Sequence, residues 1–273
     1  MTERRRVEEF WNRSREYYEQ AQERNPQAAP ERVELFAYLE GRERVLDVGS
    51  GSCENALWLP AGCRYVGVDV STTALAMAEE LERPGTRARS EADALPFASG
   101  CFDAVLSTWA IEHFYDPAEA LIEAVRVLRP GGLLLLVGSA WDLPWSIPPS
   151  IDPRRRPQVA VRRLARQLRG ALGGIHRFDL VRRPRVLEEG YLPDADAVHV
   201  AHAGGVRRFL EAAGLEIVEQ YALAHAPAPR GARGWLRRAL AAVPLWRYGW
   251  GSLFIVGRRG AEWRRPPYRL EEI

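Results

Sequence analysis

The stretch VLDVGSGSCEN, residues 45–55, sets two glycines one residue apart directly after an apolar run. Gly49 and Gly51 let the chain turn sharply and leave no Cβ between backbone and ligand. A diphosphate-binding loop of this kind carries a third small residue three positions after the second glycine. Here that position is Glu54, and Asp47 adds a second carboxylate just before the loop. The pair suits a ligand with positive charge and no phosphate. Asp69, followed by Val70, closes the next apolar run 22 positions after Asp47 (69 minus 47), the distance at which an acid meets ribose hydroxyls. Asp93 and Ala94 follow a third run, where a carboxylate can accept from an exocyclic amine on adenine.

A proton acceptor is available as well. His113 lies in WAIEHF, beyond a fourth run and close after Trp109, on the side from which a second substrate would approach. Histidine is the usual base near neutral pH; the other reading of His113 is packing within the loop. His199 and His202, in VHVAH, are three apart and can share a face toward a substrate. No carboxylate or cysteine pattern joins them, so no metal site is expected.

These residues need elements to hold them. Runs at 44–48, 65–70, 87–91, 102–107 and 133–137 read as strands, with helices expected at 54–59, 72–81 and from Asp116-Pro117 onward. LLLLV is unbroken, as in a strand covered on both faces of a parallel sheet. Alternation of this sort argues for an open α/β sheet, whose ligands sit at the carboxyl ends of the strands. Asp103 enters its strand and reads as structural. Before the sheet come a helix over 6–22, with Phe10, Trp11, Tyr17 and Tyr18 as its aromatics, and a second from Pro30 to Gly41. After Ser139 the chain turns Pro- and Arg-rich, with few strand signals. One amphipathic helix is expected there, VAVRRLARQLRGAL, with Val161, Leu164, Leu168 and Leu172 on one face. A helix over 203–213 and strands in LEIVEQYALA and GSLFIV complete the pattern. The chain thus reads as a single domain over 1–273: N-terminal helices 1–43, a cofactor-binding core 44–139, a substrate-side insertion 140–198, the rest of the sheet 199–258 and a tail 259–273.

The pieces VLDVGSGSC, YVGVDVS, ADALPF, FDAVLSTWAIEHF and VLRPGGLLLLVGS stand in one order and spacing. In this the chain resembles the class I S-adenosylmethionine-dependent methyltransferases of small-molecule type. The resemblance implies a Rossmann-like, mostly parallel seven-stranded sheet, with helices on both faces and its last strand antiparallel. It implies S-adenosylmethionine as cofactor, with Gly49 and Gly51 along the methionine and ribose part and Asp47 near its amino group. Asp69 would then take the ribose hydroxyls, and Asp93 with Ala94 the adenine. Ser107 would face the methionine moiety through its backbone, and N-terminal aromatics such as Tyr18 would fold over the site as a lid.

Composition limits the rest. The net charge is +2 over 273 residues, so the whole chain is no polycation built for nucleic acid. All 38 basic residues are arginine, which reads as codon usage. Three cysteines without a CxxC pair suit neither a disulfide framework nor a zinc site. With no signal-like or membrane-spanning run, a cytoplasmic protein is expected. Residues 151–190 hold eleven arginines against four acids, a local excess able to attract an anion or an anionic membrane surface. The leading expectation is methyl transfer to a small-molecule acceptor, such as a sugar, a polyketide-like metabolite or a quinone precursor, with O-methylation first. Three alternatives stand beside it. An RNA or protein methyltransferase is opposed by the near-neutral charge and by STWA where an NPPY-like tetrapeptide would stand. A membrane-surface binder with the same fold and no catalysis is favoured by the basic amphipathic stretches. An NAD enzyme is opposed by Glu54.

Overall fold

The computed structural model describes residues 3–13, 15–24, 35–141, 146–170, 175–181, 194–222 and 252–273. Two helices, α1 (Glu3–Arg13) and α2 (Arg15–Arg24), precede the sheet. The sheet and its first helices follow as β1 (Arg44–Val48), β2 (Arg64–Asp69), α3 (Thr72–Glu80), β3 (Thr86–Arg89), β4 (Phe102–Thr108), α4 (Pro117–Val127) and β5 (Leu128–Ser139). Beyond it come α5 (Arg156–Gly170), β6 (His176–Leu180), β7 (His199–Val200), α6 (Ala203–Ala212), β8 (Leu215–Ala222), β9 (Ser252–Arg259) and β10 (Tyr268–Glu272). Of the expected helix over 30–41, residues 30–34 fall outside the described residues, 35–37 are helical and 38–41 form turns; the stretch RGWLRRALAAVPLWRYGW falls wholly outside them.

Seven strands form one sheet in the order β3-β2-β1-β4-β5-β9-β8. The first five run parallel; β9 is antiparallel to both of its neighbours. Both faces are covered, and the pleat explains how. Val45, Ala104, Leu106, Leu133, Leu135, Val137, Phe254 and Val256 pack on one side with Leu35, Phe36 and Leu39. Their alternates Leu46, Val105, Leu134, Leu136, Leu253 and Ile255 pack on the other, with apolar residues of α4 and α6. Successive side chains of a strand point to opposite faces, so a doubly covered strand is apolar at most positions, and its buried polar residues, Asp47 in β1 and Asp103 in β4, carry hydrogen bonds. Asp103 ties the entry of β4 to β1, accepting from Glu43 N at 2.9 Å and Arg44 N at 2.8 Å, with Arg129 3.0 Å away.

Two local expectations differ. The helix after β1 is a single 3₁₀ turn, Glu54–Leu57: Cys53 enters it left-handed, at φ 56°, and Pro60 follows closely. The segment after β5 contributes strands. β6 pairs with β7 and with β10 in a separate three-stranded sheet, packed onto α6 where Phe178, Phe209 and Tyr268 meet edge to face. Residues 259–273 thus continue from the end of β9 into a strand of that sheet. Among the described residues no helix is long and apolar enough to cross a membrane.

Candidate functional site

The order of strands reverses between β1 and β4, and the crevice there is where ligands of such sheets bind. A cavity opens at this point, bounded by the β1 loop, the ends of β2 and β4, the loop after β3, and α1 with α2. The β1 loop folds back over β2: Gly49 N and Ser50 N both donate to Val68 O, at 2.9 and 3.0 Å. Gly49 sits at φ 73°, and a Cβ there would lie 2.5 Å from that of Ala110, so backbone conformation and space both require glycine. Gly51 N donates to Asp69 Oδ2 and Ser71 N to Oδ1, both at 2.8 Å. The two amides aim the Asp69 carboxylate across the cavity while each oxygen keeps acceptor capacity. Burial pushes the Asp69 carboxyl up, and these amides and His113 oppose the rise.

Of the residues expected at a cofactor, Gly49, Gly51, Asp69, Val70, Asp93 and Tyr18 line the cavity, as do His113 and Trp109. Five expected site residues lie off its wall. Asp47 is buried beneath the loop, where Oδ2 accepts from Asn55 Nδ2 at 3.1 Å and Tyr65 OH at 2.7 Å. Asn55 also donates to Thr108 Oγ1 at 2.8 Å, so Asp47 braces β1, β2, β4 and the loop against one another. Ser107 is buried within β4, and Ala94 is exposed beside the cavity. His199 is buried with Nδ1 3.3 Å from Ile111 O, and burial lowers it to about 4. His202 caps α6 by accepting from Gly205 N at 2.9 Å, and it too is lowered to about 4, first by burial and then by Arg208 and Arg163. Each imidazole holds structure through its Nδ1 and lies off the cavity wall. Among the described residues no three His, Cys, Asp or Glu come together as a metal site.

The residues missed by sequence reasoning cluster around His113. Asp196 lies with Oδ2 3.3 Å from His113 Nδ1, close enough for strong attraction though off the line of a hydrogen bond. The same oxygen accepts from Trp11 Nε1 at 3.3 Å, and the Trp11 ring meets His113 edge to face. Burial alone would lower the His113 pKa; the carboxylates of Asp196, Glu112 and Asp194 outweigh it and raise the imidazole above its ordinary value. Glu112 is fully buried, accepts from Ser139 N at 3.3 Å and is pushed up to about 7, mainly by desolvation. Ser139 Oγ holds Asp194 at 2.8 Å. Asp194 and Asp196 belong to the stretch after β5, 83 positions from His113 in the case of Asp196 (196 minus 113). No local pattern near residue 113 announces them.

The N-terminal helix closes the cavity. Val7 and Trp11 pack on Ala74 and Met77 of α3, Asn12 Oδ1 accepts from Thr72 N at 2.8 Å, and Ser71 Oγ donates to Trp11 O at 3.1 Å. Arg4 reaches over the opening to Glu91 and to both oxygens of Asp93 at 3.3 Å. The wall holds six carboxylates (Glu8, Glu54, Asp69, Glu91, Asp93 and Asp116) and a single arginine, Arg4. A cationic adenosyl ligand fits such a wall; a diphosphate would be repelled by it.

Comparison with known proteins agrees with this geometry. Residues 46–136 match the family model described as a methyltransferase domain. An uncharacterized methyltransferase of Mycobacterium sp. (strain JLS) is 37% identical over 107 residues, 39% of this chain and 42% of the relative. A demethylmenaquinone methyltransferase of Thermus thermophilus is 38% identical over 102 residues, 35% of this chain and 46% of the relative. The chain thus spans less than half the length of the curated relatives it matches. Among solved structures, an S-adenosylmethionine-dependent methyltransferase from Mesorhizobium loti superposes with a TM-score of 0.57 at 20% identity, covering 85% of this chain and 99% of its own. The [4+2]-cyclase SpnF superposes at 0.53, also at 20% identity, covering 86% and 83%. Such likenesses show the fold alone. Residues 46–136 thus match a methyltransferase domain, and the sheet that holds them has the fold of a solved S-adenosylmethionine-dependent methyltransferase.

Proposed function

We propose that the chain methylates a small, uncharged or cationic acceptor, with oxygen as the atom methylated and His113 as the base. The observation that carries this reading is the placement of His113 in the cavity wall with its Nδ1 against Asp196. Bound S-adenosylmethionine supplies an activated methyl group on a sulfonium. Asp69 takes the ribose hydroxyls on the free lone pairs of its two oxygens. Asp93 meets the adenine amine, and Glu54 places negative charge near the cationic end. Trp11, Tyr17 and Tyr18 exclude water from the closed cleft. An acceptor hydroxyl loses its proton to His113 Nε2 as the new O–C bond forms and the S–C bond breaks, and Asp196 holds the charge that appears on the imidazole. Trp109, Phe114 and Tyr115 line the cavity with aromatic rings, which suits an aromatic or quinone-type acceptor; the relative from Thermus thermophilus is named for a quinone acceptor, whose methyl goes to a ring carbon. The acidic lining disfavours phosphorylated acceptors.

Two measurements test this. Asp69→Asn keeps one acceptor oxygen for the loop amides and is expected to weaken S-adenosylmethionine binding by roughly ten- to a hundredfold in calorimetry, with the circular dichroism spectrum unchanged. Undiminished affinity would remove Asp69 from the cofactor. His113→Asn is expected to lower kcat by on the order of a hundredfold or more while cofactor affinity stays within twofold. A full rate would leave His113 as packing and O-methylation without its base.

A further inference from the structure

Helix α5 turns apolar residues outward. The sequence places Val161 and Leu164 on one apolar face of the helix, and they are 69% and 48% exposed. Val159 and Arg163 face inward instead, at 2% and 1% exposure. Arg163 secures that seating: Nη1 donates to Ser146 O at 2.5 Å, Nη2 donates to Trp141 O, and Nε lies 3.7 Å from Asp179 Oδ2. Val159 joins Trp141, Ile151, Val181, Ala197 and Val200 in a small core of its own. The helix is therefore well anchored, and its apolar outer face has another use.

Its charge says what that use is. α5 contains five arginines and no acidic residue. Arg162 is exposed on the helix, and Arg154 and Arg155 are exposed just before it. None of them lines the cavity, so this positive charge does not serve the ligand of the cleft. A polar face rich in arginine beside outward Val and Leu is the pattern of a helix lying in the plane of a lipid interface. We propose that α5 docks the protein on an anionic membrane surface, with Val161 and Leu164 entering the headgroup boundary and Arg154, Arg155 and Arg162 meeting the lipid charges. A second copy of this chain is the poorer occupant, since a two-fold contact through α5 would set arginine against arginine.

The test is co-sedimentation of the full chain with vesicles of phosphatidylcholine alone and of phosphatidylcholine mixed with phosphatidylglycerol. Pelleting is expected with the mixed vesicles only, and raised salt should release it. The double variants Val161→Glu/Leu164→Glu and Arg154→Gln/Arg162→Gln should each lower the partition coefficient by about tenfold or more. Both alter exposed side chains, so unchanged melting temperatures keep the comparison sound. Absence of pelleting with anionic vesicles, or pelleting that neither variant reduces, overturns the proposal. Sedimentation equilibrium showing a dimer that Val161→Glu/Leu164→Glu dissolves, without vesicle binding, assigns the face to a second copy instead.

Discussion

Glu112 is a carboxyl with little room to carry charge. Its pKa stands at about 7 in the folded protein against an ordinary 4.5, with burial as the main cause. The stability this gives is complete below about 4.5 and is lost as pH rises through about 7, on the order of 3 kcal/mol in all. Glu112→Gln should flatten that loss, so the variant gains in melting temperature over the parent at pH 8 but not at pH 5. Equal pH slopes for the two proteins would show that Glu112 ionises freely. His113 titrates in the opposite sense for activity: its raised pKa means that the free base, and with it the rate, grows as pH rises through a value above 6.5. Asp196→Asn removes the foremost carboxylate raising it. The acidic limb of the pH–rate profile should then move to lower pH while the plateau falls, a pair of changes that lost packing alone would not produce. His113 was visible in the sequence because it follows a recognisable strand. Asp196 was not, because chain folding alone brings it there from 83 positions away.

The loop after β1 shows how an element depends on a neighbour. Gly49 is held glycine by its φ of 73° and by Ala110 Cβ, 2.5 Å from where a methyl would stand. Gly49→Ala should cost about 1–3 kcal/mol. Gly49→Ala/Ala110→Gly should recover the steric share and leave the backbone share, and denaturant unfolding of the four proteins separates the two. A double variant no more stable than Gly49→Ala would assign the whole cost to φ. The central strands of the sheet were legible because doubly buried strands are mostly apolar, and glycine and proline mark their ends. The helix after β1 was overread because its apolar residues were counted without the left-handed entry at Cys53. Helix α5 was placed by its periodicity, which left open the side it presents to the protein. Periodicity reports which residues share a side of a helix; it does not report which side a buried arginine will win.

On the scale of the molecule, charge is divided between regions. The cavity carries six carboxylates, and the stretch after β5 carries the arginine excess. NADH is therefore expected not to displace S-adenosylmethionine in competition calorimetry; displacement at comparable affinity would contradict the acidic lining. The sheet order has a consequence in time. β9 lies between β5 and β8, and its Ser252 pairs with Ser139, 113 residues earlier (252 minus 139). Such long-range closure is slow, on the order of milliseconds to seconds. β8 stands at the edge and forms its ladder with β9, so it has no template until β9 is in place. In a refolding experiment with pulsed hydrogen exchange, the amides of β1 and β4 should gain protection first. Those of β8 and β9 should gain it together and later; β8 protected in the same phase as β1 would refute this order. The half of the sheet that frames the crevice is then built before the half that completes it, and ligand affinity during refolding should lag behind the first protected core.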